Sequence, residues 1–267
     1  MFKLIARFLG TKLPYFKGKD KIIRILYSPN RDLYSGDDFE IKYFDKKYKG
    51  ITSNFIDWGV YFKGGIEKGL VNYIKTQIAD FKYFIDIGSN TGTISLPFCD
   101  KKNLKIICFE PLNYNFKKLI NNYKLNNAYK IHKFHKVALS NKKKIDYIYY
   151  SDKDSNIGTA SLNKNWYKNI KKKRERIKVN KLDNLYKFKN KNIFLKIDVE
   201  GHEMKTIEGA KKILRSNKVL IYVETSNNKV INFFKKINYK VYYPIFFENK
   251  YKFIKKRHDQ HVFFKNF

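Results

Sequence analysis

A buried apolar run, Phe194-Leu195-Lys196-Ile197, leads into Asp198, Glu200, His202 and Glu203, with Gly201 among them. Strand alternation places Asp198 and Glu200 on the same side before the chain turns. A carboxylate or imidazole held in this way can remove the proton of a hydroxyl, which is a poor nucleophile until it loses it. Asp198, Glu200 and His202 are therefore the candidate bases. The same residue types can ligate a divalent metal. Their spacing matches no metal-binding motif, however, and no metal is expected. Plainer roles also exist for two of them: Glu203 can charge the N-terminus of the helix that follows, and His202 can serve as a supporting hydrogen-bonding residue.

A second group lies upstream, in Asp86-Ile-Gly88-Ser-Asn90-Thr-Gly92. Gly88 and Gly92 allow a tight turn and close approach of a ligand to the backbone. A dinucleotide loop would read G-x-G-x-x-G, but its second and third glycines are replaced here by Asn90 and Thr93. There is also no phosphate-binding loop ending in Gly-Lys-Ser/Thr. Asp86 would repel a pyrophosphate, whereas an acid suits a ligand carrying ammonium and sulfonium charges. Glu110 follows at the end of the next strand, 22 residues after Gly88, where a carboxylate can accept both ribose hydroxyls. Taken alone, each acid has an ordinary reading as a cap or a solvated group. Together, on consecutive strand ends, they point to S-adenosyl-L-methionine as cofactor. Ala138, ending a third strand, is small enough to lie beside an adenine ring.

These residues must be positioned by alternating strands and helices. Strands are expected at Tyr83–Gly88, Leu104–Phe109, Ile131–Leu139, Ile193–Val199 and Val219–Val223. Helices are expected at Ile66–Ile78, Thr91–Cys99, from Pro111 through Tyr123, Met204–Leu214 and Val230–Ile237. Lys240–Phe247 and His261–Phe264 read as a closing antiparallel pair, turning near Glu248-Asn249. The alternation predicts an α/β fold with a mostly parallel sheet covered on both faces, its ligand outside the carboxyl ends of the strands. Residues 1–65 read as an N-terminal extension packed on a main domain of 66–267. Within it, 1–26 reads as an amphipathic helix with Phe2, Ile5, Phe8 and Leu9 on one side, interrupted by Pro14 and Gly18, and 38–62 as short strands and turns. Residues 145–150 and 176–182 look like a β pair flanking an exposed basic loop.

Composition narrows the class. The chain has 267 residues, two cysteines and a net charge of +33. Its 23 Phe and 21 Tyr argue for a substantial core and against disorder. No apolar run of transmembrane length exists, the N-terminal stretch lacks the features of a secretory leader, and two cysteines build no disulfide framework, so the expected location is cytoplasmic. The charge invites a nucleic-acid partner, but of the 57 basic residues 50 are Lys and only 7 Arg. The bidentate fork favoured for phosphate and base edges is thus scarce. The run Lys171–Lys178 has the chemistry to touch phosphates or anionic lipid, though a solvated segment is its plainer reading.

Several segments, in order, resemble the FkbM family of S-adenosylmethionine-dependent methyltransferases. They are Phe84–Gly92, Phe109-Glu-Pro111, Val137–Ser140, Asn156–Leu162, Lys181–Leu185 and, most specific to the family, Lys196–Glu203. The resemblance implies a Rossmann-like seven-stranded class I fold with one antiparallel strand near an edge. It also implies O-methylation of a hydroxyl on a glycan, sugar or small metabolite. By carry-over, Asp86, Gly88, Asn90 and Gly92 line the cofactor, Glu110 holds its ribose, and Asp198 shares in that site. Glu67 matches an acid often found just upstream of the first strand. The competing reading, an RNA or DNA methyltransferase, rests on the charge. It lacks the [DNS]-Pro-Pro-aromatic strand end of amino-directed base methyltransferases, since Asp198-Val-Glu-Gly201 stands there instead.

Overall fold

The computed structural model describes residues 1–29, 36–151, 157–164, 172–247 and 249–267. Along the chain run α1 (Phe2–Lys12), α2 (Lys19–Leu26), the hairpin β1 (Asp38–Tyr43) and β2 (Lys46–Ile51), α3 (Phe55–Lys63) and α4 (Lys68–Gln77). Next come β3 (Tyr83–Ile87), β4 (Lys105–Phe109), α5 (Asn113–Leu125), β5 (Lys133–His135), β6 (Ala138–Leu139), β7 (Lys144–Tyr150) and β8 (Lys173–Asn180). They are followed by α6 (Leu182–Leu185), β9 (Asn192–Ile197), α7 (Glu203–Glu208), α8 (Lys211–Ser216), β10 (Lys218–Glu224), α9 (Asn228–Lys236), β11 (Lys240–Phe247), β12 (Lys250–Ile254) and β13 (His261–Lys265).

The principal sheet has the order β12-β11-β13-β10-β9-β3-β4-β5. Strands β5, β4, β3, β9 and β10 are mutually parallel. β13 runs antiparallel to both β10 and β11, and β12 is antiparallel to β11. The result is a large mixed sheet of eight strands, not seven, with two reversed strands. The addition is β12, which was not expected: the chain turns back at 249 and satisfies the outer edge of β11, while Tyr251 and Phe253 pack their rings on Tyr73. The antiparallel partner expected for β11, His261–Phe264, is present as β13, wedged between β11 and β10. Apolar side chains of β3 alternate between two cores. Phe84 joins one with Tyr48, Leu119 and Phe194, and Ile85 and Ile87 join the other with Leu182, Ile213 and Phe234.

Other expectations are corrected locally. The helix expected over Thr91–Cys99 is reduced to one 3₁₀ turn, Leu96–Phe98. Gly92 has φ +91°, outside the helical region, and Pro97 contributes no N–H. The helix expected over Met204–Leu214 breaks into α7 and α8 at Gly209, where an added Cβ would lie 2.0 Å from the Ser140 carbonyl oxygen. The strand expected over Ile131–Leu139 divides into β5 and β6, the latter leaving for a three-stranded sheet ordered β6-β8-β7. Among residues 38–62, α3 was unforeseen; Asn54 caps it by accepting from the N–H groups of Ile56 and Asp57. The expected basic loop is a strand from Lys173 onward, with Ile177 and Val179 buried and the Arg174 guanidinium stacked over Tyr147. Lys171 and Glu248 lie outside the described residues.

Candidate active site

The carboxyl ends of β3, β4 and β9 meet around one cleft. β9 is the direct neighbour of β3, and the Asp198 N–H donates to the Ile87 carbonyl at 3.1 Å. The two strand tips press so closely that a Cβ on Gly88 would stand 1.8 Å from the Asp198 carbonyl oxygen. With Gly88 at φ +76°, only glycine suits this point. Asn90 follows with φ +49°, and its buried Oδ1 finds no hydrogen-bond partner among the described residues.

Glu110, at the tip of β4, is fixed from both sides. Its Oε2 accepts from the Asn90 N–H and its Oε1 from the Leu112 N–H, each at 2.9 Å. Burial raises its carboxyl to about 7, with those two hydrogen bonds opposing.

Lys196 forms the floor. It pairs in register with Asp86 and is 3% exposed. Its ammonium donates to the Gly88 carbonyl at 2.8 Å and sits 3.2 Å from Asp198 Oδ2 and 3.6 Å from Asp86 Oδ1. Burial works against this charge, yet Asp198, Asp86 and Glu67 together hold the lysine well above its usual range. Asp86 itself is fully buried, with burial raising its carboxyl and Lys196 opposing. It lies beneath the floor and does not line the cleft.

Of the residues expected at the cofactor, Glu67, Gly88, Asn90, Glu110, Ala138 and Asp198 all line this cleft, while Asp86 and Gly92 stand behind it. Gly92 instead lets the loop rest on α5, where a Cβ would come within 2.8 Å of Leu119. The three candidate bases, Asp198, Glu200 and His202, also line the cleft. Glu200 sits at φ +48°, its carbonyl accepting from the Ser161 hydroxyl at 2.7 Å. Burial, then the charges of Asp198 and Glu203, raise its carboxyl to about 7. The His202 ring is 3.0 Å from the Ser140 hydroxyl; burial, Lys205 and Lys144 lower it to about 4, so it is neutral at pH 7. Glu203 folds back on its own turn, accepting from the Gly201 N–H at 2.7 Å. Among the described residues no group of three His, Cys, Asp or Glu is arranged to hold a metal ion.

Glu67, at the N-cap of α4, accepts from the Tyr222 hydroxyl at 3.4 Å, and that hydroxyl is 2.6 Å from His261 Nδ1. Burial and the charges of Asp198 and Asp86, with Lys196 opposing, bring Glu67 to about 7. Tyr222, His261 and Glu224 were not anticipated. Glu224 stands one residue beyond the Val223–Ile197 pairing, level with Asp198, and accepts from the Gln260 amide. Burial and the neighbouring Asp198 and Glu67 raise it to about 9. Its signal in the sequence, an acid closing an apolar strand, is the one that marked Glu110.

A mixed sheet with helices on both faces and an acid-lined cleft at the tips of its central parallel strands defines a class I, Rossmann-like methyltransferase fold. The chain belongs to the FkbM methyltransferase family: the family model for the methyltransferase FkbM domain matches residues 86–251. The crystal structure of methyltransferase FkbM from Methylobacillus flagellatus is similar over 92% of this chain, with a TM-score of 0.50 and 14% identity. This chain spans 60% of that relative's length. An S-adenosylmethionine-dependent O-methyltransferase from Thermotoga maritima matches 85% of this chain and 76% of its own, with a TM-score of 0.40 and 10% identity. An rRNA methylase from Streptococcus thermophilus matches over 70% and 87%, with a TM-score of 0.37 and 11% identity. No curated protein matches the chain.

Proposed function

We propose that this chain transfers a methyl group from S-adenosylmethionine, bound in the cleft, to a hydroxyl of a glycan, sugar or small metabolite. The observation that carries this reading is an acidic cleft in a strongly basic chain. Among the described residues, Glu67, Glu110, Asp198 and Glu200 line it against one ammonium, that of Lys196. Such a lining fits a donor with sulfonium and ammonium charges and disfavours a phosphate. The Asn90 Oδ1, buried and without a partner among the described residues, leaves a polar contact for it. When bound, S-adenosylmethionine supplies a methyl group made electrophilic by its sulfonium.

The chain's own residues would divide the work as follows. Glu110, with both oxygens anchored by backbone N–H groups, keeps lone pairs for the ribose hydroxyls. Phe109, Val137, Ala138 and Leu139 offer an apolar wall for the adenine. Glu67 and Asp198 face the amino-acid end, with Lys196 holding Asp198 in place and Asp86 holding Lys196. Glu200 is the base: a carboxyl at about 7 is half ionised near neutral pH and accepts a proton well there. Neutral His202, held by Ser140, orients the acceptor hydroxyl.

Calorimetry should find one S-adenosylmethionine site per chain, and a folded sample giving no binding heat would overturn the proposal. Methyl transfer is then sought across sugar-nucleotides, glycan fragments and small alcohols by mass spectrometry. Glu200→Gln should lower kcat by about 10²–10⁴ while leaving donor affinity nearly intact; unchanged turnover would remove Glu200 from the base role.

One feature favours a second reading, a nucleic-acid acceptor. A groove beside the cleft shares Pro111 and Val137 with it and is lined by Lys136, Lys143, Lys144, Arg176 and Lys178, with no carboxylate among the described residues. Tritiated methyl incorporation into purified RNA would establish that reading, and none at low salt would exclude it.

A further inference from the structure

The first helix is built inside out. Its buried stripe is made of small residues, Ala6 and Gly10, which let α1 lie hard against α3: a Cβ on Gly10 would sit 1.8 Å from the Phe62 carbonyl oxygen. Leu9 also packs inward, against the cluster of Ile23, Trp58 and Phe62, but the other large apolar residues point the other way. Leu4 is 68% exposed and Phe8 58%, with Phe2 and Ile5 also exposed. The connection to α2 adds exposed Leu13, Tyr15 and Phe16. On α2, Ile23 is buried against Trp58 and Phe62, while Ile22 and Ile25 face outward, Ile25 at 73% exposure. A surface helix normally shows the reverse arrangement, and a clustered apolar patch of this kind marks an interaction site.

Charge identifies the partner. Residues 1–29 contain seven Lys and Arg against one acid, Asp20, which pairs with Lys63. Lys12, Lys17, Lys21 and Arg24 are exposed alongside the apolar residues. A second copy of the chain placed on this face would set these cations, and a net charge of +33, against their own kind. An anionic bilayer offers the complement to both features at once: acyl chains for the apolar residues and headgroup charge for the cations. Among the described residues no helix is long and apolar enough to cross a membrane, and α1, with 11 residues, spans only about 16 Å, so it would lie in the interface plane.

We propose that the outer face of α1 and α2 docks this chain onto the headgroup region of an anionic membrane. α1 packs on α3, and α3 carries Ile56, which lines the cleft. A membrane under this face therefore lies one helix layer from the site of chemistry, within reach of an acceptor displayed at that surface. The docking itself does not depend on the methyl-transfer reading.

Vesicle flotation of the full chain tests the proposal, using phosphatidylcholine vesicles with and without one third phosphatidylglycerol. The chain should float with the anionic vesicles and not with the neutral ones. Leu4→Ser combined with Phe8→Ser should weaken binding by about tenfold or more, as should Lys17→Glu combined with Lys21→Glu. Because all four side chains are exposed, thermal melting should stay at the parent value and certify a folded sample. No flotation of the parent chain, or equal flotation of the Leu4/Phe8 variant, would overturn the proposal. So would light scattering that finds a dimer dispersed by the same variant when vesicles are not bound, since the face would then be a self-association surface.

Discussion

Replacing Lys196 with methionine tests whether one buried ammonium holds the floor of the cleft together. Lys196 is 3% exposed, and its charge is shared among the Gly88 carbonyl, Asp198 and Asp86. Methionine matches the aliphatic stem, so the main loss is electrostatic. Asp86 is left fully buried with no hydrogen-bond partner for either carboxylate oxygen among the described residues. Removing one member of a buried ion pair costs about 3–5 kcal/mol. At about 2–4 °C per kcal/mol for a chain of this size, the melting temperature should fall by roughly 6–20 °C. The loss should depend on pH. Asp86 already has its carboxyl raised by burial, and without Lys196 it rises further. A carboxyl raised in the folded state favours folding when protonated, and that contribution is lost as pH climbs through the folded pKa. The variant should therefore be least impaired near pH 5 and most impaired near pH 8. Adding Asp86→Asn removes the stranded charge and should recover at least half of the loss at the higher pH. Melting followed by circular dichroism at both pH values decides the matter. A Lys196→Met variant as stable as the parent, or a double variant no better than the single one at high pH, would refute the reasoning.

Glu110→Ala should weaken S-adenosylmethionine binding by about tenfold or more, since it removes a carboxylate held by two backbone N–H groups; titration calorimetry measures it. Donor affinity should rise between about pH 6 and pH 8 as Glu67 and Glu110, each raised to about 7, lose protons and become able to meet a cation. The demethylated product, without the sulfonium charge, should show a flatter profile, and equal profiles would count against a cation-recognising cleft. Gly88→Ala should destabilise the fold by about 2–4 kcal/mol, because its Cβ would collide with the Asp198 carbonyl at a left-handed φ; urea denaturation reads the change.

Much of the architecture was legible because it is written in local pattern. The apolar runs of β3, β4, β9 and β10 stand out since strands buried on both faces need continuous hydrophobic sequence. The acids at their ends stand out because nothing in a core strand otherwise explains them. What failed was equally local in origin. The stretch after Gly92 has helical composition, but a left-handed glycine and Pro97 leave one 3₁₀ turn there. Lys250-Tyr-Lys-Phe alternates at the strand period, but over four residues that is too short to mark a strand, and the open edge of β11 makes it β12.

The sequence by itself determined the sheet's parallel core, the glycine loop, and the presence of acids at the tips of strands that an α/β fold would gather at one end. Only the tertiary structure decided which of those groups touch. It sent Asp86 beneath the floor, made Lys196 the hub between β3 and β9, and brought Glu67, Tyr222 and His261, from three distant segments, into one hydrogen-bonded chain. It also parted the residues that helical periodicity groups on one side of α1, packing Leu9 inward and leaving Phe2, Ile5 and Phe8 exposed. The physical reason is that periodicity reports how a segment meets its own backbone and a generic interior. The neighbours of a charge are set by strand order and helix docking, which the whole chain settles together when it buries its core.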